Sequence, residues 1–186
     1  MKSWASRKQP GFRPRLIANR PSGLFLDKTE LAAYACAVRA LSRREHCAAE
    51  LRAKLGQRDY PDEVIATVIT RLKTDGYLSE GRFAEAFLRM RMQGGEAPWL
   101  AAQRARQRGA DESAVQDALA AAQEEFDALA VCREMLNRRD PQGLRHENER
   151  IWQRQARFLR NKGFDAATIL RCLKENLQDD VSIAED

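Results

Sequence analysis

Arg150, Arg154 and Arg157 recur at steps of four and three, the spacing that sets side chains on one face of a helix. Such a lane can follow a row of phosphates or acidic side chains, because each guanidinium offers a planar fork of donors and stays charged near neutrality. Arg160 and Lys162 extend the same segment, Arg104, Arg106 and Arg108 form a second basic group, and Arg43, Arg44, Arg52 and Lys54 a third. If these segments stack in similar orientation, their lanes join into one basic surface. For any single lane the plainer reading is a solvated helix face, since arginine is a good helix former. Recurrence at equivalent places favours binding. Glu45, Glu50, Glu80 and Glu85 are candidates for acid–base pairs, but no nucleophile, metal-ligand set or phosphate-cradling glycine loop accompanies them. His46 beside Cys47 suggests a metal ligand or a nucleophile, yet His146 is the only other histidine and no ligand spacing connects them. No active site and no cofactor are expected. Among the aromatics, Trp4, Trp99 and Trp152 are of the type that stacks on unpaired bases. Phe83, Phe87 and Phe158 have the spacing of core residues. Trp99, after Pro98 at a helix start, fits a rim position or a core position equally.

The elements that carry these residues repeat. Glycines at Gly56, Gly109 and Gly163 each follow a basic helical segment, and each precedes a helix whose apolar residues fall at Ile65/Ile69, Val115/Leu119 and Ile169/Leu173. The marks are spaced by 50 to 54 residues. With a further amphipathic helix ahead of each, the unit is three helices and the expectation is nine helices in three triplets. The fold class is all-α: three tandem three-helix repeats forming an elongated, curved helical stack. Repeat 1 spans residues 29–77, repeat 2 78–123 and repeat 3 124–178. Leu31, Tyr34, Ala35, Val38 and Leu41 form the first apolar stripe. Ser42 to Glu45 reads as a capping box, which predicts that the second helix starts there and runs to Leu55. Pro61 suits the first turn of the third helix, and Gly76 closes it. Ser79 opens the second repeat with Phe83, Phe87 and Met90 on one stripe, which breaks at Gly94 and Gly95. Asp111 and Asp165 are N-cap candidates. In repeat 3 a first helix ends near Asn137, Asp140 to Gly143 forms a turn, and a basic helix runs from Glu147 to Asn161 with Ile151, Phe158 and Leu159 inward.

The composition suits a binding protein. A 186-residue chain with 44% hydrophobic residues has enough apolar content to bury a core. No apolar stretch approaches the roughly 20 residues that span a bilayer, and no signal-type segment opens the chain, so a cytoplasmic protein, in all expectation monomeric, is implied. Cys36, Cys47, Cys132 and Cys172 lie far apart within apolar helical patterns, which reads as reduced core thiols. The net charge of +5 is uneven: residues 1–28 hold seven basic residues against Asp27 alone, and residues 29–186 sum to about −1. Pro10, Gly11, Pro14, Pro21 and Gly23 leave no room for a helix there, so residues 1–28 read as a flexible basic arm. Residues 179–186 form an acidic tail.

Ala40 to Leu55 and Gly76 to Arg91 resemble the RecX family, regulators of the RecA recombinase, and the resemblance extends over about residues 31–176. After Pro98 the pattern departs. The family continues with an acid-containing helix ending Lys-Gly-Ile, where this chain has Trp99, Arg104, Arg106 and Arg108 before Gly109. The resemblance implies a non-enzymatic protein that binds the RecA filament on single-stranded DNA, lies in its groove, and limits ATPase, strand exchange and coprotease activity. A place in DNA repair, recombination and the SOS response goes with it. Weak, salt-sensitive nucleic-acid binding through the arginine lanes is expected beside the protein contact. Two alternatives remain open from the residues themselves. One is a helix-turn-helix module reading DNA with Val64 to Leu72, disfavoured because Arg71 and Lys73 are the only basic residues of that helix. The other is a generic helical interaction scaffold, whose usual repeats of about 34 or 40–47 residues are shorter than the spacing here.

Overall fold

The computed structural model describes residues 27–175. Apart from Asp27 and Lys28, the expected basic arm lies outside the described residues, as do Trp4 and the expected acidic tail. Among the described residues there are nine α-helices and no strand: α1 Lys28–Leu41, α2 Ala48–Gly56, α3 Asp62–Thr74, α4 Glu80–Gln93, α5 Pro98–Gln107, α6 Glu112–Glu124, α7 Ala128–Arg139, α8 Glu149–Asn161 and α9 Ala166–Lys174. A 3-10 turn, Leu144–His146, precedes α8. The protein is therefore all-α.

Polar side chains set most of the helix starts. Asp27 and Glu30 form a reciprocal capping box at α1, and Ser79, Asp111, Asp127, Asn148 and Asp165 each accept a backbone N–H from the first turn that follows. Periodic apolar faces then meet in three clusters. Leu51, Leu55, Val68 and Leu72 centre the first; Phe83, Leu88 and Val115 the second; Leu136, Leu159 and Leu173 the third. Each such buried side chain stabilises the fold by about 1.5–3 kcal/mol. All extensive helix–helix packing lies within α1–α3, α4–α6 or α7–α9.

Several local expectations are overturned. Ser42 does not start a helix but caps the end of α1, its Oγ donating to the Arg39 carbonyl at 3.0 Å. Glu45 turns away and accepts from Arg82 Nε at 3.0 Å. The reason is tertiary: Cys47 is buried among Phe83 and its neighbours in the second cluster, and α2 begins only after it, with Cys47 itself extended at φ −82° and ψ 164°. The cap of α2 comes from α4 instead, with Glu80 Oε1 accepting from Ala48 N at 2.9 Å. Leu31 and Met90, placed on apolar stripes by their spacing, are 55% and 56% exposed. The first helix of repeat 3 runs on to Arg139, and α8 starts at Glu149, because Asn148 rather than Glu147 supplies its cap.

Gly56 is also not the counterpart of Gly109 and Gly163. It ends α2 in helical geometry. The left-handed residue of that turn is Asp59, with φ 61° against 78° at Gly109 and 92° at Gly163. The bonding agrees, since the Asp59, Gly109 and Gly163 amides donate to the carbonyls of Gly56, Arg106 and Arg160, each within 2.9 Å.

Candidate partner and nucleic-acid interface

On α8, Gln155 and Leu159 are buried and Ile151, Trp152 and Phe158 half-buried, and this side packs on α9 and the 3-10 turn. Gln155 is held by Arg139, whose Nε donates to Oε1 at 2.9 Å and whose guanidinium lies 4.2 Å from the Phe158 ring centroid. That fixes the rotation of α8. Arg150, Arg154 and Arg157 consequently stand on the outer face, exposed, with Arg160 flanking them. At 1.5 Å of rise per residue, neighbouring members are about 6 and 4.5 Å apart along the axis. None of the four has an ion pair among the described residues. Their charge is free for a ligand.

The basic residues of α5 and its end are engaged within the chain. Arg104 Nε approaches Glu96 Oε2 to 3.2 Å, though without a hydrogen-bonding angle. Arg106 forks onto Glu112 through Nε and Nη2, both at 2.8 Å to the nearer oxygen. Arg108 Nη1 donates to Glu50 Oε1 at 2.9 Å and its guanidinium lies over Phe87. In repeat 1, Arg44 is bound to Glu50 at 2.7 Å, whereas Arg43 and Arg52 are exposed and unpaired and Lys54 is half-buried and unpaired among the described residues. Lys162 donates to the Gly94 carbonyl at 2.6 Å, across repeats. So the twelve candidates divide into bonded cations and two unpaired groups, one on α8 and one on repeat 1.

The carboxylates considered for acid–base chemistry have structural partners. Glu50 collects Arg44, Arg108 and His46 Nδ1, the last at 2.9 Å. Burial opposes its ionised form, but the hydrogen bonds from Arg44, Arg108 and His46 outweigh that and hold its pKa below the ordinary value. Glu80 receives Ala48 N and Asp111 N and so joins α2, α4 and α6. Glu85 is exposed. His46 is buried, and burial together with the nearby Arg44 lowers its pKa despite Glu50. The four cysteines are buried thiols. Trp99 is 50% exposed, at a rim, with Nε1 donating to the Gly163 carbonyl at 2.6 Å.

Sequence reasoning missed the pair inside repeat 3. Arg145 and Asp140 are each buried and 3.2 Å apart, with Asp140 also accepting from Leu144 N and Arg145 N. Arg145 reaches the Leu173 and Glu175 carbonyls at the end of α9. The predicted turn at Asp140 was its only signal. Arg39 and Arg58 were missed as well; they line a concavity with Arg43, Arg44 and Lys54, and their i, i+4 relation to Arg43 and Lys54 was the available clue.

A family model for the first three-helix domain of RecX matches residues 33–72. Over 130 residues, 70% of this chain and 79% of the relative, the sequence is 40% identical to the regulatory protein RecX of Halorhodospira halophila. The chain belongs to the RecX family. A RecX of Pseudomonas entomophila is 37% identical over 145 residues, covering 78% of this chain and 92% of that protein. Among solved structures, RecX from Lactobacillus salivarius superposes with a TM-score of 0.63 at 21% identity, over 80% of this chain and 96% of its own. At that identity the likeness speaks for the shared RecX fold. The relatives are named regulatory proteins, and this chain is a RecX-type regulator. Among the described residues no helix is long and apolar enough to cross a membrane.

Proposed function

We propose that this protein binds the RecA filament assembled on single-stranded DNA, lies in its groove, and limits ATP hydrolysis, strand exchange and coprotease activity. It acts in the cytoplasm as a monomer and without catalysis of its own. The observation that carries the reading is the α8 lane: Arg150, Arg154 and Arg157 are aligned, exposed and free of internal carboxylates among the described residues. A helix face of that kind suits a backbone of phosphates or an acidic protein surface. Membership of the RecX family supports a RecA-related partner. The helix-turn-helix reading loses support because α3 buries Ile65, Val68, Ile69 and Leu72 and ties Arg71 to Asp75 at 3.0 Å.

RecA-catalysed ATP hydrolysis on single-stranded DNA, titrated with the wild type and with an Arg150→Ala/Arg154→Ala/Arg157→Ala variant, tests the proposal. Inhibition by the wild type and its loss in a folded variant is the expected result. No inhibition by the wild type at several-fold excess would sink the reading.

A further inference from the structure

Where α1 turns towards α2 the surface holds a concavity of about 550 Å³. Its lining includes Arg39 from α1, Arg43 and Arg44 from the link that follows, Lys54 from α2 and Arg58 just beyond it. No carboxylate among the described residues lines it. Cations beside helix C-termini are stabilised by the dipole, which accounts for Arg39 and Lys54 singly. It does not account for five together of which, among the described residues, Arg44 alone has a carboxylate partner. Other arginines of this chain are paired, as Arg82 is with Glu45, Arg91 and Arg104 with Glu96, and Arg106 with Glu112, whereas those of the α8 lane, like Arg39 and Arg43, have no such partner among the described residues.

Here Arg39, Arg43 and Lys54 have no ion pair among the described residues. Among the described residues Arg58 Nη1 donates to the Cys36 thiol alone, at 2.8 Å. Arg44 is bound to Glu50, the nearby acid, which Arg108 and His46 also share. The concavity therefore keeps an uncompensated positive charge, and its protein walls concentrate that field. Its size lies within the range of about 300–1,000 Å³ typical of small-molecule sites. Arginine and lysine side chains from α1, α2 and the link between them line it. A carboxylate has two oxygens to offer them, whereas a terminal phosphate has three strong acceptors and close to two negative charges. The shape differs from that of the α8 lane, which is convex and follows a chain of singly charged diesters; a concavity admits a group that protrudes.

We propose that this concavity binds a terminal phosphate group, a phosphomonoester carried either by the 5′ end of a DNA strand or by a free nucleotide. The site is separate from the α8 lane and does not depend on the filament reading. Binding of one short oligonucleotide to the full chain, in 5′-phosphorylated and 5′-hydroxyl forms, is compared by fluorescence anisotropy, and pyrophosphate binding is measured by calorimetry. The phosphorylated strand should bind about tenfold more tightly, the least expected from one added charge-assisted bond. Arg43→Glu and, separately, Lys54→Ala should abolish that preference, while the α8 triple variant weakens both forms equally. Pyrophosphate binding that the same two substitutions remove assigns the site to free nucleotides; a preference confined to the strand assigns it to DNA ends. Arg43 is exposed and unpaired, so its replacement should leave the thermal melt unchanged. Equal affinity for both strands without pyrophosphate binding overturns the proposal, and so does a phosphate preference that survives both substitutions.

Discussion

Gly109 and Gly163 answer two demands at once, and Asp59 answers one. All three adopt the left-handed backbone after the second helix of their triplet. A Cβ at Gly109 would lie 2.7 Å from Ala49 Cβ, and one at Gly163 3.0 Å from Leu100 Cβ, because these glycines press against the second helix of the preceding triplet. Asp59 has no triplet before it among the described residues, is exposed, and needs only the left-handed conformation, which aspartate tolerates better than most side chains. Gly109→Ala is therefore expected to cost about 1–3 kcal/mol from the backbone alone, more if α2 cannot yield. Asp59→Gly should change stability by less than about 1 kcal/mol. Denaturant unfolding of both variants checks the contrast; equal effects would show that the close approach to Ala49 is of no consequence. The sequence pattern marked two of these turns and misplaced the third by taking Gly56. That glycine follows a basic helix, but nothing packs against it closely enough to require it.

At the scale of the element, α8 was legible because both of its faces are written in one helical period. The fate of Arg104, Arg106 and Arg108 was not, since their carboxylates come from other segments, Glu50 being 58 residues from Arg108. Exposed, unpaired arginines should matter to ligand and not to fold. The Arg150/Arg154/Arg157 alanine variant is expected to keep its stability within about 0.5 kcal/mol. Its log–log salt slope for single-stranded DNA should become shallower by about 2, roughly 0.7 for each phosphate that an arginine no longer neutralises. An unchanged slope, measured by anisotropy across a salt series, would move the lane from phosphates to a protein surface. The link before α2 has a pH signature. His46 titrates below its ordinary value of 6.5 in the fold, chiefly through burial and then through Arg44, so the native state prefers the neutral ring. That preference costs nothing above about pH 6.5 and destabilises the fold as the pH falls from there towards the lowered pKa. Glu50, also lowered, remains ionised across that window and adds its own loss only below about 4.5. His46→Gln is expected to flatten the stability profile between about pH 7 and pH 5, as read from melts at matched ionic strength. A profile as steep as the wild type's would assign the slope to other groups.

For the whole molecule, the decisive feature is that extensive helix packing stays inside each triplet, so the joints between triplets determine whether the chain behaves as one body. The two joints use the same positions with different chemistry. Between the first and second triplets, Cys47 enters the second core and Glu50–Arg108, Glu80–Ala48 and Glu45–Arg82 surround it. The second joint has Ala97 N on the Lys162 carbonyl at 2.8 Å, Trp99 Nε1 on the Gly163 carbonyl and Lys162 Nζ on Gly94, with Met135 against Gly95. Periodicity could reveal the triplets, but it carries no signal for bonds that run between helix ends. That is why Trp99 stayed ambiguous as a sequence feature. It is half-exposed because it spans a seam. Removing it should loosen α7–α9 from the rest without touching the arginine lane or any triplet's core. Trp99→Ala is thus expected to split denaturant unfolding into two transitions and to weaken inhibition of RecA ATP hydrolysis, although Arg150, Arg154 and Arg157 are unchanged. That outcome would mean that the proposed filament contact depends on holding the α8 lane at a fixed distance from α1–α3. Unaltered inhibition together with split unfolding would place the whole of the contact on repeat 3, and a single transition at the wild-type midpoint would show that the backbone bonds suffice to hold the seam.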